Sequence, residues 1–171
     1  MTDTEIRFEE PLPARIAAAT ERYGEAGLVQ HAIGLLQGRN EGEEVLLYLG
    51  GRHARGILDG APALYWPEVW GARALLHVWD DSAASAVLDG VQNRAWRVRE
   101  MCLKVCAVRQ LGDVATVKRR LTDENPRVRA AAAHVVAVVG SADDRSLLER
   151  MLKDPEKDVR RAAGEALKLL V

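Results

Sequence analysis

One spacing recurs three times in the second half of this chain, and it limits the fold more than any other feature. Asp123, Val128 and Arg129 follow the pattern D-x4-V-R ahead of an alanine-rich stretch, and the pattern returns at Asp154, Val159 and Arg160. A third copy has Asn93 in place of the acid and keeps Val98 and Arg99. The valines stand 30 and then 31 residues apart, and Val91, Leu121 and Leu152 each precede their valine by seven positions. Such a period describes a pair of helices that cannot bury its own apolar face and has to stack on its neighbours.

Local signals divide each unit into two helices. Asp113 opens DVATVKRRL, where its carboxylate can accept from the unpaired N–H groups of a first turn. After the turn TDEN, Pro126 stands where a first helical position tolerates proline, and RVRAAAAHVVAVV runs on to the breaker Gly140. The next unit reads DDRSLLERML, KDPEK, DVRRAAGEALKLL, and the preceding one SAASAVLDGV, QNRA, WRVREMCLKVCAVRQL. Upstream the pattern fades. Leu58, Asp59 and Gly60 return as Leu88, Asp89 and Gly90, which marks a unit over residues 52–79, but its acidic and basic positions hold Leu64 and Trp70. Both partners are lost together, as expected of a pair in which deleting one would strand the other. A fainter unit spans 25–50, and 12–22 forms a capping helix, for about eleven helices in all.

These elements resemble HEAT repeats, in particular the short bacterial HEAT-like type found in phycobilin lyases and small scaffolding proteins. The D-x4-V-R motif, the small residues after the valine and the aliphatic residues of the preceding helix carry the resemblance, mainly over residues 82–171. It implies an all-α, right-handed α-solenoid of four to five helical hairpins behind an N-terminal capping helix. Residues 1–51 would be degenerate N-terminal helices, and 52–171 HEAT-like repeats, in one domain. It also implies that the second helix of each pair lines a concave face, and that Asp-to-Arg contacts run between neighbouring units as a structural ladder from Asn93, Arg99, Asp123, Arg129, Asp154 and Arg160. Asp123 is expected to hold Arg129.

Composition removes several classes of function. The chain is 48% apolar and 29% charged, ordinary for a globular protein. Net charge is −4 over residues 1–66 and +3 over the remainder, too small an imbalance to announce a nucleic-acid partner. The longest nearly apolar run, 130–140, is about half the length that crosses a bilayer, and the acidic N-terminus lacks the pattern of a secretory signal. A cytoplasmic location is expected. Cys102 and Cys106 fall on one helical face as core thiols, and with His134 alone beside them they do not make a zinc set. The run from Gly50 to Gly56 lacks the Lys-Ser/Thr ending of a phosphate loop and reads as a break between helices. No cofactor, metal or catalytic residue is expected.

A binding role is expected instead, with a protein or peptide partner on the concave face. Two positions after each motif valine stand Gly71, Glu100, Ala130 and Arg161; six after stand Leu75, Lys104, His134 and Glu165, and both rows should face the groove. The partner-binding candidates are Trp66, Trp70, Arg97, Glu100, Lys104, Arg127 and His134, since Trp and Arg dominate binding hot spots. Two other functions follow from relatives of the repeat: a base-excision DNA glycosylase, for which Trp96 and Glu100 approximate a Trp–Asp pair one turn apart, and a bilin lyase. Finally, Ala166, Leu167, Leu169, Leu170 and Val171 cannot all face one helix pair, so self-association through the C-terminal helix is expected.

Overall fold

The computed structural model describes residues 6–170. Among them it contains ten α-helices and three short 3-10 turns, with no strand. The chain divides into two compact units, Met1–Ala86 and Val87–Val171.

The first unit holds α1 (Leu12–Leu36), α2 (Glu43–Gly50), α3 (Arg52–Leu58) and α4 (Trp66–Ala74). Gly24, at φ 72° and ψ 160°, breaks α1 where the sequence reading separates its capping helix from the following unit. The second part of α1 packs on α4 through Gly71. A Cβ there would lie 2.5 Å from the carbonyl oxygen of Ala32 and 2.7 Å from the backbone nitrogen of Leu36. This close approach turns the Val69 register inward. Gly71 and Leu75, expected to face a groove, are buried.

Trp70 is buried too, 2% exposed, with its ring against Gly50 and its centre 5.3 Å from that of the His53 ring. The glycine run therefore acts as a break. Gly51 at φ 59° separates α2 from α3, and the terminal carbonyls of α2 are met by Arg15, which donates to Tyr48 at 2.5 Å, and by Arg73, which donates to Leu49 at 2.6 Å.

The second unit is a stack of helical hairpins. α5 (Ala84–Gly90) crosses the division and leads to α6 (Trp96–Arg109); α7 (Val114–Lys118) with a 3-10 turn leads to α8 (Pro126–Val139); and α9 (Arg145–Met151) leads to α10 (Lys157–Leu169). The Asp113 side chain accepts from Thr116 N at 2.8 Å and opens α7, and Asn125 accepts from Arg127 N at 3.0 Å one residue before Pro126. α6 packs on α8 and α8 on α10, with the motif valines Val98, Val128 and Val159 fully buried between them. Val91 and Leu121 are buried too, but Leu152 is exposed and Met151 takes the inward place. The fold is all-α and solenoid-type, with the three motif copies in one stack.

Candidate functional site: the second-helix face of the repeats

All three motif arginines hold the loop of their own copy, and the first two also reach the next copy. Arg99 Nη1 donates to the carbonyls of Asn93 and Arg94, Arg129 Nη1 to those of Asp123 and Glu124, and Arg160 Nη1 to those of Asp154 and Pro155. Each guanidinium thereby satisfies the loop that enters its own second helix. Its other edge reaches the acid of the next copy: Arg99 grips Asp123 at 2.9 and 2.8 Å, and Arg129 grips Asp154 at 2.8 and 2.9 Å. The ion pair therefore links neighbouring units. The pairing of Asp123 with Arg129 expected from the sequence is replaced by pairing with Arg99, and Arg129 meets only the Asp123 backbone.

Burial works against the charged form of Asp123, but hydrogen bonds from Arg99, the Asn125 N–H and Arg120 outweigh it and hold the carboxyl below its ordinary value. Asp154 follows the same logic, with Arg129 and the Glu156 N–H opposing its desolvation. Asn93, in the acid position of its copy, accepts from Ala95 N and so keeps the loop-shaping half of the role.

Away from the ladder, five side chains of α6 and α8 converge. Glu100 is buried, and its Oε1 receives Lys104 Nζ at 2.9 Å along α6 and Arg127 Nε at 3.0 Å from α8. Arg97 stacks on the Trp96 ring at 4.4 Å, and Arg127 approaches the same ring at 5.8 Å. Trp96 is half-buried, whereas Lys104 and Arg127 are exposed. Arg97, Glu100, Lys104 and Arg127 thus form one patch across two repeats. The sequence reading gave Trp96 only as an approximate glycosylase residue and did not see it as the platform for two guanidiniums. Glu100, its supposed catalytic neighbour, is engaged by two cations. His134 is half-buried on the same face of α8.

Trp66 and Trp70 belong to the first unit. Trp66 is half-buried, its ring 4.7 Å from His53 and 5.5 Å from Tyr65. Trp70 lies in the core and presents no surface, so it leaves the set of binding candidates.

A row of aliphatic residues was missed altogether. Ten positions after each motif valine stand Val108, Val138 and Leu169, which are 61%, 39% and 61% exposed. Each follows Lys104, His134 or Glu165 by four residues and so lies on the same helical face, one turn farther along. Val138 remains exposed although α8 has a second helix on either side.

A cleft of about 580 Å³ opens elsewhere, between the first helices, with Leu121 and Met151 at its floor and Lys118, Arg119 and Arg150 around it. It follows from the shortness of α7 and α9, and none of the convergent patch lines it. Cys102 and Cys106 are buried; burial pushes the Cys106 thiol up to about 12 and the Cys102 thiol higher still. Among the described residues no group of three or more His, Cys, Asp or Glu gathers as a metal site. Likewise no helix among them is long and apolar enough to cross a membrane.

Residues 84–168 match the family model for HEAT repeats. The chain belongs to the HEAT-repeat family. The matched segment covers the stacked hairpins, their ladder and the convergent patch. Comparison with curated proteins gives no match.

Proposed function

We propose that this HEAT-repeat protein is an interaction scaffold that holds a protein or peptide partner on the second-helix face of its C-terminal repeats and does not transform it. The observation that carries the reading is the patch of Trp96, Arg97, Glu100, Lys104 and Arg127. It joins an aromatic platform to solvent-facing cations on two successive repeats. Aromatic and arginine side chains are the usual anchors of protein interfaces. Burying Glu100 beneath two cations fixes them in place and leaves the patch with a net positive charge, which favours an acidic partner and raises the encounter rate.

Residence in the cytoplasm and self-association through the exposed Leu169 of α10 are finer parts of the same proposal. Capture of a partner from source-cell lysate on the immobilised full chain, with identification by mass spectrometry, supplies the binding pair. Reversing charge at Arg97 and Lys104 should then slow association, with the effect shrinking as salt rises. If those changes are silent while Lys118→Glu with Arg119→Glu abolishes binding, the partner sits on the first-helix side and the reading fails.

A further inference from the structure

We propose that the occupant of this face is an acidic amphipathic helix of the partner, laid across α6, α8 and α10. Its aliphatic residues would rest on Val108, Val138 and Leu169, and a carboxylate on its flank would meet Lys104. This rests on the function proposed above and adds the conformation and chemistry of the ligand.

The spacing selects a helix. Packed neighbouring helices lie about 8–10 Å apart, so the three exposed aliphatic side chains form a row with roughly that interval. An α-helix advances about 10.5 Å in seven residues, close to two full turns, and so returns an aliphatic side chain to the same side at every repeat. An extended strand covers the interval in about three residues, an odd number, and successive side chains point to opposite sides. Only the helix keeps one apolar stripe on the row.

Charge selects its flank. One turn before Val108 on α6, the exposed Lys104 stands beside the aliphatic row, and behind it Glu100 is shared with Arg127 from the start of α8. On α10 the charges balance: Asp158 pairs with Arg161 at 3.1 Å, and Glu165 is followed by Lys168. The acidic flank of the ligand therefore belongs at the α6 end. Exposure of Val138 between two neighbouring second helices shows that the row is not the uncovered edge of a stack.

The probe is a fluorescein-labelled synthetic peptide of about 18 residues with leucines at helical a and d spacing and glutamates on one flank, titrated with the full chain and read by anisotropy. It should bind and gain helical circular dichroism. A version with lysine for glutamate, and one of equal composition with leucine at every second residue, should each bind at least about tenfold more weakly. Val108→Lys with Val138→Lys should weaken binding about tenfold or more, and Lys104→Gln should weaken it and flatten its salt dependence.

Absence of binding, equal binding of the alternating peptide, or silent valine variants that melt like the parent would each overturn the helix proposal. Silent valines with a sensitive Lys104 would do so while leaving the scaffold reading intact. Insensitivity of the whole face, with loss of binding in Lys118→Glu with Arg119→Glu, would remove both.

Discussion

Arg99 closes on Asp123 with two parallel hydrogen bonds, Nε to Oδ2 at 2.9 Å and Nη2 to Oδ1 at 2.8 Å, across the junction of two repeats. Both side chains are buried, and Arg120 adds a third charged contact to Oδ2 at 3.0 Å. Removing the acid strands two guanidiniums, and breaking a buried pair from one side is costly. Asp123→Ala should lower unfolding free energy by about 3 kcal/mol in urea titration. The less buried rung should cost about 1–2 kcal/mol in Asp154→Ala. The reverse order would mean that burial does not set the strength of the ladder.

The same carboxylates make stability depend on acid. Asp123 and Asp154 are held below the ordinary carboxylate value in the folded chain, so the unfolded chain binds their protons more readily. Their contribution is complete above about pH 4 and is lost as pH falls through the lower folded-state values. Asp123→Asn with Asp154→Asn should be less stable at neutral pH and show a flatter decline between about pH 4 and 2 than the parent. An unchanged acid limb would show that other carboxylates control it.

Gly71 and Gly56 make a matched test of the first unit. A methyl group at Gly71 meets the backbone of α1 at 2.5 Å, whereas one at Gly56, inside α3, meets nothing within 4 Å. Gly71→Ala must push two helices apart and should cost about 2–3 kcal/mol. Gly56→Ala should be neutral or stabilising by about 0.5–1 kcal/mol, since alanine suits a helix interior better. Equal effects in thermal melts would contradict the described approach of α4 to α1.

The helices were legible because their signals are local. Asp113, Pro126 and Gly140 mark ends that depend on backbone hydrogen bonds within a few residues, and Gly24 breaks α1 where the faint upstream unit was expected to start. That the ladder joins neighbouring units followed from the resemblance, but which acid meets which base was not legible, because D-x4-V-R places one of each in every copy and spacing alone does not pair them. Trp70 was misread because it takes the place of the ladder arginines, which are themselves largely buried, and with no charge to pair it packs into the core against Gly50. The aliphatic row at Val108, Val138 and Leu169 stood in the sequence at a constant ten residues after each valine. Attention to charged and aromatic positions passed it by, since an exposed valine announces itself only once its burial is known.

The C-terminal end separates surface from core in two adjacent leucines. Leu169 is exposed, whereas Leu170 is half-buried, with its Cδ1 3.2 Å from where a Cβ on Gly140 would stand. Leu170 was one of five residues expected to carry self-association, and its packing on the end of α8 makes it a poorer choice than Leu169. Val171 lies outside the described residues. If α10 brings two copies of the chain together, Leu169→Glu should reduce concentration-dependent dimerisation in light scattering while leaving the melting temperature within experimental scatter. Leu170→Glu should instead place a charge against the α8 terminus and lower stability by about 1–2 kcal/mol in the monomer. A parent protein that stays monomeric at high concentration would remove self-association from the functions of Leu169 and leave that side chain free for a ligand helix.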